Sequence, residues 1–245
     1  MKVLSIGNSF SEDSHRWLHK LAVAEGIYLE TVNLYIGGCT LEMHFKNIEE
    51  NKAYYDFQPN GEFGERKISI TEALKLCEWD VITIQQMSGF SGLYETYEPY
   101  LSSVISTVKQ ICPKAKLYFH QTWAYEQDFD NGNFAFYDYN QAKMFDCIKE
   151  ASEKAAKSIE ADIIPTGTVI QALRETVAEF DYKNGGISLC RDGYHLSYDY
   201  GRFAAAAIWL RKITGKNIKT TNFEDFDSRI LEKIIGVVNG TTIDN

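Results

Sequence analysis

The chain has 245 residues, of which 25 are lysine or arginine and 34 are aspartate or glutamate, so its formal net charge is −9. An acidic chain without a basic stripe is not expected to bind nucleic acid or an anionic membrane surface. No apolar run reaches the ~18–20 residues that a membrane-spanning helix needs, and the first residues do not read as a signal peptide. We therefore expect a cytoplasmic protein, and the alternative is a secreted protein whose leader has been removed.

Short apolar segments alternate with helical patterns along the chain. The segments predicted to be strands are residues 2–6, 28–34, 81–84, 116–120 and 162–164. The segments with apolar residues at helical spacing are residues 12–25, 101–111, 139–158, 166–179 and 197–213, the last of which is expected to close the fold. This alternation predicts an α/β fold, namely a three-layer α/β/α sandwich with a central parallel sheet.

Residues 54–70 depart from this alternation. Two β-prone stretches flank residues 58–64, which contain glycine and asparagine, and this pattern predicts a hairpin inserted into the α/β core. No shift in composition and no linker divides the chain. We therefore expect a single domain over residues 1–245 with a hairpin insertion at 54–70.

In a doubly wound sheet, ligands bind beyond the carboxyl ends of the strands, so the segment after each strand is a candidate for the site. The first such segment is Gly7-Asn8-Ser9-Phe10-Ser11. A serine at a sharp strand-to-helix turn projects its hydroxyl from the sheet edge and suits a nucleophile for acyl transfer. The alternative is that Ser9 or Ser11 caps the helix. The segment matches neither a dinucleotide fingerprint nor a P-loop, and we expect no cofactor.

A second candidate segment, Asp192-Gly193-Tyr194-His195, precedes the last predicted helix. A carboxylate three residues before an imidazole can turn back to Nδ1–H, which leaves Nε2 free as a general base. A surface turn with an incidental histidine is the alternative. Both segments are expected at the same edge of the sheet, in the order Ser…Asp…His, and together they suggest a Ser-His-Asp triad of Ser9, His195 and Asp192.

With these segments the sequence resembles the SGNH hydrolase superfamily, also called the GDSL esterase/lipase family, and within it an uncharacterised SGNH-like subgroup common in gut bacteria. Gly7-Asn8-Ser9 is similar to the Gly-Asp-Ser nucleophile motif, and Asp192 and His195 match the C-terminal Asp-x-x-His. The segment from Asn33 to Thr40 is similar to the second block of the family. The resemblance implies a flavodoxin-like SGNH fold and a serine ester hydrolase whose oxyanion hole uses the N–H groups of Ser9 and Gly38.

The third block departs from the family, which has Gly-x-Asn-Asp after the third strand. Here the chain reads Ile84-Gln85-Gln86-Met87-Ser88-Gly89, without an asparagine. A glutamine amide can also donate, so Gln85 or Gln86 is expected to substitute as an oxyanion donor. The alternative is that these glutamines only pack and hydrogen-bond at the end of the strand.

Side chains after the fourth strand and one on a nearby segment are expected to contact the substrate: His120, Trp123, Tyr125 and His44. Packing in the core or at the rim of the site is the alternative role for these residues. Residues 125–139 are predicted to form a long loop with an exposed polar surface, which would serve as a substrate-facing flap.

The expected substrate is a small-molecule or carbohydrate ester with a small acyl group, with acetyl preferred. The alternatives are a non-catalytic glycan-binding protein on the same fold and a lipase or thioesterase with a longer acyl pocket. We expect no metal site. His15 and His19 have the spacing of a helical metal pair, but Arg16 stands where the H-E-x-x-H motif has glutamate. The cysteines are widely spaced without a C-x-x-C pair, which argues against zinc and against a disulfide framework.

Overall fold

A seven-stranded sheet lies at the centre of the computed structural model, which describes residues 1–243. Its strands are β1 (Lys2–Gly7), β2 (Glu30–Tyr35), β3 (Tyr55–Pro59), β4 (Lys67–Ile68), β5 (Val81–Ile84), β6 (Lys116–His120) and β7 (Asp162–Ile164). The strand order is β4-β3-β2-β1-β5-β6-β7. Strands β2, β1, β5, β6 and β7 pair in parallel, whereas β3 and β4 are antiparallel additions beside β2.

Helices cover both faces of this sheet. They are α1 (Ser9–His15), α2 (Leu18–Ala24), α3 (Leu41–Glu49), α4 (Ile70–Leu74), α5 (Tyr100–Ile111), α6 (Gln141–Ile159), α7 (Thr166–Thr176), α8 (Tyr200–Thr214) and α9 (Ser228–Gly240). Successive strand residues point to opposite faces, so Val3 joins one hydrophobic core while Leu4 and Ile6 join the other. Helices α1, α2, α7, α8 and α9 pack in the first core, and α3, α4 and α5 pack in the second. The predicted α/β/α sandwich is confirmed.

Several predicted helix boundaries are wrong. The helix predicted over residues 12–25 is two helices, because the chain leaves the α1 helix at Arg16 and Trp17, where the Trp17 indole donates to the carbonyl of Tyr198 at 2.9 Å. Residues 197–213 do not close the fold, since α9 follows and packs against α8. Helix α9 buries apolar residues at helical spacing, namely Leu231, Ile234, Ile235 and Val238. That periodicity was available in the sequence.

The turn between β3 and β4 lies against the end of α1. Gly61 has a φ of +79°, and a Cβ there would lie 2.7 Å from the carbonyl oxygens of His15 and Arg16. Only glycine fits this close approach. The Arg16 guanidinium in turn donates to the carbonyl of Gly61 at 2.7 Å. The hairpin is thereby held beside the helix that begins at Ser9.

Within residues 1–243, none of the helices combines the length and apolarity needed to cross a membrane. The five cysteines are unpaired. Over the same described range, no cluster of three or more His, Cys, Asp or Glu side chains is arranged to hold a metal ion. Polar side chains converge instead at the carboxyl edge of β1, where α1 begins.

Candidate active site

Three side chains from opposite ends of the chain form a continuous hydrogen-bonded row at this edge. The Oγ of Ser9 lies 2.9 Å from Nε2 of His195, although 186 positions separate the two residues. The Nδ1 of His195 lies 2.7 Å from a carboxylate oxygen of Asp192. The structure therefore brings together the three residues that the sequence singles out as a triad, with the geometry that a nucleophile, a general base and an orienting carboxylate require.

Local sequence explains why the Ser9 hydroxyl is free for chemistry. Asn8 caps α1, since its side-chain oxygen accepts from the N–H of Phe10 at 3.1 Å. Ser11 completes the cap by accepting from the N–H of Asn8 at 3.1 Å. A Cβ on Gly7 would lie 2.1 Å from the Ser11 oxygen, so glycine is required in this tight turn. Capping is thus the role of Asn8 and Ser11, and Ser9 points to His195.

The Asp192 carboxylate organises its own loop as well as the imidazole. Its second oxygen accepts from the backbone N–H of His195 at 2.8 Å and of Tyr194 at 3.3 Å. Gly193 adopts the left-handed φ of +88° that this turn needs. Partial burial alone would raise the pKa of Asp192, but the hydrogen bonds from His195 outweigh it, and the pKa lies below its usual value. The ionised carboxylate holds the proton of His195 on Nδ1 and leaves Nε2 as the acceptor for Ser9.

A buried carboxylate that sequence reasoning missed fastens this loop to α1. Asp13 is fully buried, one helical turn after Ser9. One of its oxygens accepts from the backbone N–H of Leu196 at 2.8 Å, beside the imidazole. The other accepts from Arg191 at 3.0 Å and from Arg202 at 2.7 Å. Because Asp13 and Ser9 share one short helix, this network sets the distance between the serine and the histidine loop.

The four side chains predicted to contact the substrate are instead buried, with exposures of 2% or less: His44, His120, Trp123 and Tyr125. Trp123 stacks on Phe10 with ring centroids 4.0 Å apart, and its indole donates to the carbonyl of Tyr194 at 2.7 Å. Tyr125 also has Tyr194 as a ring neighbour, at 5.7 Å. These rings form a layer beneath the histidine loop. The predicted substrate contact is therefore wrong for them, and packing is their role.

The remaining two buried residues are equally enclosed. The Nδ1 of His44 hydrogen-bonds the Tyr55 hydroxyl at 2.8 Å, and that of His120 hydrogen-bonds the side-chain oxygen of Gln85. The predicted flap over residues 125–139 is also more enclosed than expected, since Phe134 and Tyr137 lie in the core. This segment packs onto the site loop, and it also presents exposed polar side chains, as predicted, at Asp128, Asp130 and Asp138. Its role as a substrate-facing flap stays a prediction.

Both glutamines of the third block are buried and already hydrogen-bonded. The amide of Gln85 donates to the side-chain oxygen of Asn8 at 2.8 Å. The amide of Gln86 donates to the carbonyl of Thr96 at 3.2 Å, and its oxygen accepts from the N–H of Leu41 at 3.0 Å. The carbonyl and the hydroxyl of Thr96 both accept from the Gln86 amide, so the prediction that Gln86 donates to the oxyanion is wrong. The donation predicted for Gln85 stays a prediction. Gln85 supports Asn8 and hence the turn before Ser9.

Two backbone N–H groups near Ser9 remain available as donors. Across residues 1–243, neither the N–H of Ser9 nor that of Gly38 has an acceptor. The side chain of Asn8 donates to the carbonyl of Cys39 at 3.0 Å and so ties the Gly38 loop to the nucleophile turn. Gly38 has a φ of +64° and open space at its Cβ position. This arrangement suits an oxyanion hole made of backbone donors.

Asn8→Asp is expected to lower both stability and ester hydrolysis. Asn8 donates to the carbonyl of Cys39 and accepts from Gln85, whereas aspartate can only accept. A carboxylate oxygen would face the Cys39 carbonyl in a buried site, at a cost of about 1–3 kcal/mol in the free energy of unfolding. Thermal denaturation and p-nitrophenyl acetate hydrolysis measure the two effects.

Asn140→Asp is the matched control for this variant. Asn140 also caps a helix through its side-chain oxygen, but it is exposed, and within residues 1–243 its amide nitrogen has no acceptor. We expect its stability to stay the same or rise slightly, since a negative charge is favourable at a helix N-terminus. Equal behaviour of the two variants would contradict the role assigned to the Asn8 amide.

The chain is similar to a known protein family and to a solved structure of a member of that family. Residues 2–232 match the family model described as "Domain of unknown function (DUF4886)". The crystal structure of a DUF4886 family protein from Bacteroides uniformis is 36% identical, with 97% of this chain and 93% of that chain covered and a TM-score of 0.89. No curated protein matches the chain.

More distant solved structures share the fold. A protein proposed to be an SGNH hydrolase, from Slackia heliotrinireducens, is 20% identical over 86% of this chain and 97% of that chain, with a TM-score of 0.58. A catalytic mutant of an acetylxylan esterase from Geobacillus stearothermophilus is 15% identical over 89% and 96%, with a TM-score of 0.56. The SGNH fold implied by the sequence motifs is therefore confirmed.

Proposed function

The chain belongs to the DUF4886 family and has the SGNH hydrolase fold, and on this basis we propose that it is a serine hydrolase of small acyl esters. One observation carries the proposal, namely the row from Ser9 through His195 to Asp192, with spacings of 2.9 and 2.7 Å. Serine, imidazole and carboxylate in this order are the parts of acyl transfer through a covalent intermediate.

The mechanism follows from the positions of these groups. Ser9 Oγ attacks the ester carbonyl while His195 Nε2 takes its proton and then gives it to the leaving alcohol. Asp192 stabilises the imidazolium, and the N–H groups of Ser9 and Gly38 stabilise the oxyanion of the tetrahedral intermediate. A water molecule then gives its proton to His195 and attacks the acyl-serine. The bond between the acyl group and Oγ then breaks, which releases the carboxylic acid, and His195 returns the proton to Ser9 Oγ.

Two observations bear on the alternative functions. The amides of Gln85 and Gln86 both bond within the fold, to Asn8 and Thr96, and this engagement favours a non-catalytic glycan-binding protein. The hydrogen bond between Ser9 and His195 and the two available N–H groups favour an enzyme. Acetyl esters are the first substrates to examine, because one neighbour of the same fold is an acetylxylan esterase.

Covalent labelling tests the proposal directly. We expect phenylmethylsulfonyl fluoride to modify Ser9, as seen by mass spectrometry of peptides, and to stop p-nitrophenyl acetate hydrolysis in proportion to labelling. We expect kcat/KM to fall along the p-nitrophenyl series from acetate to octanoate. No hydrolysis and no label on Ser9 would reject an esterase and support glycan binding alone. A rate that rises toward octanoate would indicate a lipase or thioesterase.

A further inference from the structure

One face of α1 connects Ser9 to a surface that the proposed reaction does not use. This face of α1 is formed by residues at positions i, i+3, i+4 and i+7, namely Ser9, Glu12, Asp13 and Arg16. Glu12 and Arg16 are partly exposed, whereas Asp13 is covered. The exposed part of this face leads away from the triad.

An exposed aromatic ring covers the arginines that bind Asp13. Tyr198 is 64% exposed. Its ring centroid lies 4.9 Å from the guanidinium carbon of Arg191 and 4.8 Å from that of Arg202. Both arginines are held by the buried Asp13 carboxylate, and the Tyr198 carbonyl accepts from the Trp17 indole at 2.9 Å. The ring is thus backed by fixed groups and still presents surface to solvent.

This ring is close to the triad. Tyr198 follows His195 by three residues, which span at most about 10–11 Å even when fully extended. Arg202, which lies under the ring, also approaches the Glu12 carboxylate at 3.7 Å. The ring therefore lies on the Glu12 side of α1, within the length of a few sugar units from Ser9.

A second exposed ring lies farther along the same face. Phe63, in the β3–β4 turn, is 70% exposed, and the guanidinium of Arg16 lies 5.6 Å from its ring centroid. Glu12 accepts from the amide of Gln58 at 3.1 Å. Each arginine on this face is paired with a carboxylate, namely Arg16 with Glu62, Arg191 with Asp13, and Arg202 with Asp13 and Glu12. The surface therefore favours a neutral ligand.

We propose that this face of α1 binds the carbohydrate part of an acylated neutral oligosaccharide, with Tyr198 as the platform for a pyranose ring. A pyranose presents C–H groups on its faces and hydroxyls at its rim, which match an aromatic plane flanked by charged hydrogen-bonding groups. The inference rests on the proposed esterase function and names the substrate class of that same site. Trp123 and Tyr125 cannot take this role, because they are buried.

Binding without turnover tests the surface independently of catalysis. In a Ser9→Ala background, we expect acetylated xylotetraose to bind measurably by titration calorimetry, and Tyr198→Ala to weaken that binding about tenfold. Tyr198→Phe is expected to restore most of the affinity. Tyr28→Ala is the matched control, since that ring is 72% exposed but lies just before β2. It is therefore at the amino ends of the parallel strands, whereas the triad is at their carboxyl ends. We expect the control to bind like the parent.

Turnover separates the inference from the proposed function. With Ser9 intact, Tyr198→Ala is expected to lower the ratio of kcat/KM for acetylated xylotetraose to that for p-nitrophenyl acetate about tenfold. If the wild type fails to hydrolyse p-nitrophenyl acetate, the esterase proposal fails. If it does hydrolyse that ester but Tyr198→Ala alters neither the ratio nor the affinity, the carbohydrate surface alone is overturned. If Tyr198→Ala does not fold, Phe63→Ala tests the second exposed ring of this face. We expect it also to weaken the binding of acetylated xylotetraose about tenfold.

Discussion

Replacing Ser9 with alanine is expected to lower kcat/KM for p-nitrophenyl acetate by about 10⁴-fold or more. The Ser9 hydroxyl is the only group in the row that can form the acyl intermediate, and alanine removes it without disturbing the cap, which Asn8 and Ser11 provide. The folded state should therefore persist, so thermal denaturation should show a melting temperature close to that of the wild type. Steady-state hydrolysis at matched protein concentration measures the loss.

A double variant makes this prediction sharper. Members of a triad act as one unit, so the Ser9→Ala and His195→Ala losses should not add. We expect the double variant to be about as active as either single variant. Ser102→Ala and His19→Ala are the matched controls, because neither residue belongs to the triad. Ser102 lies on α5 and donates to Glu98, whereas His19 lies on α2 and hydrogen-bonds the Leu29 carbonyl. Hydrolysis that survives Ser9→Ala, or losses that multiply in the double variant, would contradict the assigned triad.

The elements and the proximity of Ser9, Asp192 and His195 could be predicted because their signals are local. The apolar run of β1, the turn at Asn8 and the short Asp192-to-His195 spacing each lie within a few residues. The parallel-sheet rule then placed the two segments at one edge. The splitting of the first helix could not be predicted in this way, since the Trp17 indole bonds to Tyr198, 181 positions away.

Burial was the property that sequence reasoning could not assign. Trp123 and Tyr198 are both aromatic residues beside predicted site segments, yet Trp123 is buried and Tyr198 is exposed. The difference arises from long-range packing, since Trp123 stacks on Phe10 and bonds to the Tyr194 carbonyl 71 positions away. Asp13 was missed for the same reason, because its partners Arg191 and Arg202 lie near the other end of the chain. A short motif does not report such contacts.

Three buried histidines predict that the protein loses stability in mild acid. Burial lowers the pKa of His15, His44 and His120 to about 3 each, and for His120 the nearby His15 contributes as well. In the folded state these rings stay neutral, whereas in the unfolded chain a histidine takes up a proton near a pKa of about 6.5. The unfolded state then binds more protons, so stability is fully present above about pH 6.5 and falls as the pH drops toward 3.

The size of this effect is large relative to the stability of a domain. Each differential proton changes the free energy of unfolding by about 1.4 kcal/mol per pH unit, so three histidines give a slope of about 4 kcal/mol per unit between pH 6 and 4. A domain is stable by about 5–15 kcal/mol, so we expect unfolding in mildly acidic solution, at about pH 4–5. Urea unfolding at a series of pH values between 6 and 5 measures the slope.

Replacing His44 with glutamine removes the proton that this one histidine takes up when the protein unfolds. The His44 ring lies away from the triad against Tyr55, and among residues 1–243 its Nε2 has no hydrogen-bond partner. Glutamine does not titrate, so the slope should fall by about one third, or about 1.4 kcal/mol per pH unit, whatever the variant costs at pH 7. A slope equal to that of the wild type would show that His44 is protonated in the folded protein. Because the slope is independent of the offset at neutral pH, the test separates titration of the ring from loss of its packing.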